Sequence, residues 1–168
     1  MVEIGLIDEH ERLELLGGEL VPMSAKGSAH EVVKLGLIEF LIRNCPARFR
    51  VIPETTFRLS IDTFIEPDFL VFPASVPLRE LKGPDAVLAI EVSDSSLGYD
   101  LGRKPRIYAQ YGISELWVID APKLIVHVHR GVGPEGYGDV KTFDQQALLT
   151  PMNVPELAVR LADLNLGP

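Results

Sequence analysis

Two short apolar runs in this chain each carry a carboxylate at one end, and that placement restricts the fold more than any other feature. Phe69-Leu70-Val71-Phe72 follows Asp68 directly, and Ala86-Val87-Leu88-Ala89-Ile90 leads into Glu91, 23 residues after Asp68. Compact apolar runs of this length read as buried strands. A carboxylate inside a buried strand is costly unless its charge is compensated. Two of them on successive strands suggest one shared compensation, because neighbouring strands lie only about 4.8 Å apart. Oxygens leaning the same way from both strands can reach one divalent ion held at roughly 2.1 Å, the Mg²⁺–oxygen distance. Either acid alone is explained as well by a buried arginine partner or a strand-end cap. The pair, with a lysine nearby, favours a metal site.

The rest of the composition bounds the setting. At 168 residues and 46% apolar, the chain reads as one ordinary globular domain over residues 1–168, with 1–12 as a polar arm. The single Cys45 excludes an internal disulfide framework and fits a reducing compartment. No stretch approaches the ~20 apolar residues of a membrane span. Glu3, Asp8, Glu9 and Glu11 make the start too acidic for a signal or transit peptide. A cytoplasmic protein without a membrane partner is expected. The net charge of −8 speaks against a nonspecific nucleic-acid coat, since phosphate neutralisation dominates such binding. It leaves a nuclease open, because acids at a metal site count as negative until the ion is bound. Arg43, Arg48, Arg50 and Arg58 read as ordinary solvated surface; Arg103, Lys104 and Arg106 form a second basic group.

Along the chain, Leu13–Leu16 and Glu19–Val21 read as a hairpin turning at Gly17-Gly18. Ser28 and Glu31 have capping-box spacing, opening a helix that buries Ala29, Val33, Leu37, Phe40 and Leu41 and stops at Pro46. Strands are expected at 49–52, 55–60, 65–72, 86–92, 115–120, 124–130 and 140–143. The 86–92 strand, apolar on both faces, is expected to be central. A short helix is expected at 155–164, with Pro155 in its first turn. Strands with few helices in this order predict an α/β fold, a mixed sheet with a helix against it. Leu97, Leu101, Lys104, Tyr108 and Tyr111 make a helical stripe that directs Lys104 at the sheet. Pro105 places the start of regular helix near residues 102–104. His127 and His129 share a strand face, and without a matching Cys or His pair they read as exposed edge residues. Trp117 reads as core, Asp94 as a helix cap, and Glu54 as a possible further acid.

The order of these pieces resembles a known family. Pro67-Asp68 followed by Glu91 at the end of an apolar strand resembles the PD-(D/E)xK nuclease core. Gly18-Glu19-Leu20, Met23-Ser24 and His30 come before it. Val92-Ser93-Asp94-Ser95-Ser96, then Tyr99-Asp100-Leu101-Gly102-Arg103-Lys104, then Tyr108 to Asp120 come after it. Together, over about Leu13 to Arg130, they resemble the Uma-two family of restriction-endonuclease-like proteins. The resemblance implies a restriction-endonuclease-like mixed β-sheet core flanked by helices, with an N-terminal β-hairpin. The strict motif places its lysine two residues after the acid, where this chain has Ser93. The resemblance implies that Lys104, on the following helix, takes that role.

The resulting expectation is a metal-dependent endonuclease acting on nucleic acid, with DNA as the favoured substrate. Asp68 and Glu91 would hold Mg²⁺ or Mn²⁺. Lys104 would stabilise charge on the phosphate or orient the water, Glu19 would complete the metal shell or act as a base, and His30 would contact phosphate. A non-catalytic nucleic-acid or protein-binding module on the same fold is the alternative that Ser93 and the negative charge motivate. Leu6, Ile7, Leu13, Leu15 and Leu16 suggest a surface for a C₂ homodimer.

Overall fold

The computed structural model describes residues 13–167. The expected arm at 1–12, with Leu6 and Ile7 of the expected dimer surface, lies outside the described residues. The hairpin forms as expected: β1 (Leu13–Leu16) pairs antiparallel with β2 (Glu19–Pro22). Gly17 and Gly18 both take positive φ, 59° and 82°, which a two-residue hairpin turn of this hand requires. Helix α1 (Ser28–Asn44) follows, and Val33, Leu37 and Leu41 form its buried stripe. Its N-cap is Gly27, and no side chain caps it. The expected Ser28/Glu31 capping box does not form, because Glu31 pairs instead with Lys34 and His30.

Strand β3 (Phe49–Pro53) leads through a turn at Glu54 to the short β4 (Phe57–Arg58), β5 (Phe64–Ile65) and then β6 (Phe69–Pro73). The expected single strand at 65–72 is therefore two, broken at Glu66–Asp68. β5 joins the hairpin in a four-stranded sheet of order β2-β1-β5-β4, whereas β6 enters the main sheet. The break exists because one chain segment serves two sheets, and Pro67 at the break has no amide to offer either ladder. β7 (Leu88–Ser93), helices α2 (Leu97–Gly102) and α3 (Lys104–Gln110), β8 (Leu116–Asp120), β9 (Ile125–Gly133) and β10 (Gly136–Phe143) complete the sheet. Its order is β10-β9-β8-β7-β6-β3, with β7 and β8 parallel and every other pair antiparallel. β7 is interior and wholly buried, as its apolar character predicts. β9 and β10 extend into the glycine-rich segment, so the turn shrinks to its tip around Pro134 and Glu135. The expected C-terminal helix is instead two 3₁₀ turns, Pro155–Leu157 and Leu161–Asp163, separated by a bridge between Val159 and Leu149. That extended bridge occupies the middle of the segment and leaves each turn too short for α-helix.

Alternation along the strands sorts the core onto two faces. Phe69, Val71, Leu88, Ile90, Trp117 and Ile119 meet α1 and the C-terminal segment on one side. Leu70, Phe72, Ala89, Leu116 and Val118 meet Tyr108, Ile113 and the small sheet's Leu16, Phe57 and Ile65 on the other. Trp117 is core, as expected. His129 is buried rather than exposed, because β10 covers β9 and Tyr137 packs on its ring at 5.7 Å. Among the described residues no helix is long and apolar enough to cross a membrane.

Candidate active site

Asp68 stands immediately before β6 and Glu91 lies near the end of β7. The β6–β7 register pairs Phe69 with Ile90 and Leu70 with Ala89. Continued by one residue, it sets Asp68 across from Glu91. Cross-strand positions share a face and hold their Cβ atoms about 4.5–5.5 Å apart. Both acids thus emerge on the second face, into a cavity of about 260 Å³ that they line with Glu14, Lys26, His30, Tyr99, Asp100 and Lys104.

Each acid has its own set of donors. Asp68 Oδ2 accepts the Val92 amide at 2.8 Å. Asp68 Oδ1 faces His30 Nε2 at 3.0 Å and Lys26 Nζ at 3.2 Å. The other His30 nitrogen, Nδ1, faces Glu31 at 3.1 Å. Burial pushes the Asp68 carboxyl up, but His30, the Val92 amide and Lys26 outweigh it and hold the group below the usual range.

Glu91 receives Lys104 Nζ at 3.1 Å and the Tyr108 hydroxyl, both on Oε1. Lys104 is the first residue of α3, and Pro105 follows it in the first turn, where a missing amide costs little. Arg103 separates α2 from α3, so the ammonium is aimed at the end of β7. There it serves three carboxylates: Glu91, Glu14 at 3.3 Å and Asp100 at 3.5 Å. Burial opposes its charge, but Glu91, Glu14 and Asp100 outweigh burial and raise its pKa. Glu91 moves the other way from an ordinary acid. Burial, reinforced by Asp68, Asp100 and Glu14 and only partly offset by Lys104, holds it at about 8. Ser93, in the place where the strict motif has lysine, donates to Asp100. Above the site the Tyr99 hydroxyl is buried without a hydrogen-bond partner among the described residues.

The cavity suits a hard divalent ion. Its buried acids Glu14, Glu91 and Asp100 crowd about Lys104, Asp68 lines the same cavity, and the neighbouring acids add to burial in raising Glu91. The donors are carboxylate oxygens, the type that Mg²⁺ and Mn²⁺ prefer. Among the described residues no three His, Cys, Asp or Glu side chains form a ready ligand group. Mg²⁺ is commonly held by one or two carboxylates and otherwise hydrated.

Of the residues singled out in the sequence, Asp68, Glu91, Lys104 and His30 meet in this cavity. Glu19 does not. It stands at the turn end of the hairpin, 63% exposed at its side chain, with Arg103 Nη2 at 2.7 Å from its carboxylate. Glu14, five residues earlier on β1, is the hairpin acid that enters. It also accepts the Glu66 amide at 3.1 Å. The sequence carried a signal for Glu14: a lone acid inside Leu13-Glu14-Leu15-Leu16, as with Asp68 and Glu91. Asp100 had a weaker one, its four-residue spacing from Lys104. Lys26, in the loop before α1, had none. Asp94 is no helix cap: α2 is preceded by Ser96, and the Asp94 carboxylate packs over Gly27, where an added Cβ would lie 2.0 Å from its Oδ2.

Sheet order and cavity together define a domain of the restriction-endonuclease-like fold. The chain belongs to the Uma2 family, described as "Putative restriction endonuclease", which it matches over residues 3–164. Among solved structures it is similar to "a putative nuclease belonging to DUF820" from Anabaena variabilis, at 18% identity and a TM-score of 0.75, over 96% of this chain and 93% of that one. A weaker likeness, TM-score 0.40 and 14% identity, covers 67% of this chain and 13% of the type IIG restriction endonuclease BpuSI. No curated protein matches.

Proposed function

We propose that this protein is a metal-dependent endonuclease that hydrolyses phosphodiester bonds in DNA in the cytoplasm. The observation that carries the reading is the placement of Asp68 across from Glu91, with Lys104 on Glu91, in one open cavity. Asp68 and Glu91 are the residues that would hold Mg²⁺ or Mn²⁺. The ion would supply charge neutralisation at the scissile phosphate and a more acidic water.

The chain's own groups then have distinct tasks. Lys104 holds an ammonium beside Glu91, where it can meet a phosphate oxygen or orient the attacking water. Tyr108 fixes the Glu91 carboxylate from below the cavity. His30 and the Val92 amide fix Asp68, so His30 acts on the acid rather than directly on phosphate. Asp100 and Glu14 keep Lys104 charged.

The homodimer is also a proposal. Leu16 is buried in the core and cannot serve an interface, leaving Leu13 and Leu15 as the described part of that surface. The test of function is a cleavage assay on supercoiled plasmid and single-stranded DNA with Mg²⁺, Mn²⁺ or chelator, using wild type and Asp68→Ala. Metal-dependent cleavage by wild type that Asp68→Ala lacks is expected. Cleavage that survives both chelator and Asp68→Ala defeats the reading.

A further inference from the structure

Lys26 is a lysine in an unusual position. It lies in the loop between β2 and α1, yet its side chain is only 17% exposed. Its ammonium bridges two carboxylates, Asp68 Oδ1 at 3.2 Å and Glu54 Oε1. Glu54 is itself held unusually. It has a φ of +46°, a region that side-chain-bearing residues seldom occupy, and its amide donates to the Asp68 carbonyl at 3.2 Å. It also accepts Lys34 at 3.2 Å. Glu54 is therefore tied to Asp68 through the backbone and holds its carboxylate on Lys26 and Lys34.

Asp68 does not need Lys26 for its hydrogen bonds. Val92 serves one oxygen and His30 the other, at 2.8 and 3.0 Å. Of the three donors, Lys26 is the most distant and has the longest, most flexible stem. It is also the donor with a second carboxylate to go to. A divalent ion on Asp68 Oδ1 would lie close to this ammonium, and like charges at such a distance repel.

We propose that Lys26 yields Asp68 to the incoming divalent cation, withdraws onto Glu54, and there binds a phosphate of the nucleic-acid substrate. This rests on the proposed function above. The ammonium thus guards Asp68 before the ion arrives. After the exchange, with one N–H on Glu54, the ammonium keeps donors for a phosphate, since Lys26 itself lines the cavity.

Calorimetric titration of the full chain with Mn²⁺ alone tests the exchange. Lys26→Met should bind Mn²⁺ about tenfold more tightly than wild type, since one opposing charge is gone. Lys26→Arg should stay near wild type. Lys34→Met, which removes a charge from the same Glu54 without touching Asp68, should also stay near wild type. Lys26→Gln repeats the measurement if Met impairs folding by circular dichroism. For the phosphate contact, a labelled DNA duplex is titrated with Mn²⁺ present in a Lys104→Met background, where slowed cleavage leaves the duplex uncut over the titration. Adding Lys26→Met should weaken duplex binding severalfold, and adding Lys26→Arg should preserve it. Unchanged or weaker Mn²⁺ affinity in Lys26→Met, or unchanged duplex affinity, overturns the proposal. No Mn²⁺ binding by wild type or any variant overturns the proposed function itself.

Discussion

Glu91, near the end of β7, and Glu115, at the entry to the neighbouring β8, are both buried acids, and their surroundings are opposite. Glu115, just before β8, is enclosed by donors on both oxygens. Trp117 Nε1 at 2.7 Å and Arg130 Nε and Nη2 at 3.0 and 2.7 Å reach Oε1; the Met152 amide at 2.8 Å reaches Oε2. The same Arg130 ties the C-terminal segment through the Thr150 carbonyl. Glu91 has both described donors on one oxygen, shares its lysine with two other acids, and opens on a cavity. A buried acid with a full set of donors closes a structure. A buried acid with a divided counter-ion and an open side is arranged for exchange with something from solvent. Burial by itself separates nothing; the donor count and the access do.

The largest effect should come from the closed site. Glu115→Ala leaves Arg130 and the Trp117 N–H facing an empty space, and losing one partner of a buried ion pair costs about 3–5 kcal/mol. Urea unfolding should show this loss, with Glu91→Gln in chelator far milder. Equal losses at the two positions would dissolve the contrast. Next, Lys104→Met, assayed at a temperature where circular dichroism shows it folded, should lower the cleavage rate by about a hundredfold, or roughly 3 kcal/mol, the usual cost of a preorganised electrostatic contact. Cleavage undiminished in Lys104→Met would remove the lysine from the chemistry.

A pH series sharpens the closed side further. His129 is buried beside Tyr137, and desolvation, with His127 adding to it, lowers its pKa from 6.5 to about 4. Between those values the unfolded chain binds a proton that the folded chain refuses, so stability is full above pH 6.5 and falls as pH drops towards 4. His129→Phe should flatten that fall, which for a displacement from 6.5 to about 4 is at most roughly 3 kcal/mol. An identical acid profile in wild type and variant would show that His129 is charged in the fold. The smallest effect concerns the hairpin. Glu14→Gln should impair cleavage, while Glu19→Gln should change neither rate nor melting temperature measurably, because its pair with Arg103 is at the surface. The reverse pattern would return Glu19 to the site.

The sequence disclosed those parts of the site whose cost is local. Asp68 and Glu91 interrupt apolar runs, and such an interruption is visible without a fold. Glu14 interrupts one too, but its strand lies in the small hairpin, where an acid also reads as the wet face. Lys26 was invisible because nothing in a short polar loop tells an inward lysine from a solvated one. The strands of the main sheet were legible from composition and alternation. The split between β5 and β6 was not, because it depends on which sheet each half joins. The two C-terminal 3₁₀ turns were hidden for a related reason: the Leu149–Val159 bridge that keeps them apart spans distant residues.

The parallel pairing of β7 and β8 has one more consequence. Two parallel neighbours cannot be joined by a tight turn, so the chain from Ser93 to Leu116 must travel back along the sheet. In doing so it places α2 and α3 over the end of β7, and Asp100 on that return path touches both Ser93 and Lys104. Two positions eleven residues apart in sequence therefore share one address in space. A cation required at that address can be supplied from the strand or from the connection, so the spacing of a linear motif is an accident of which route delivers the charge. Moving the lysine from 104 to 93 would be a relocation within one small volume, the kind of change by which a signature can vanish from a sequence while its chemistry stays in place.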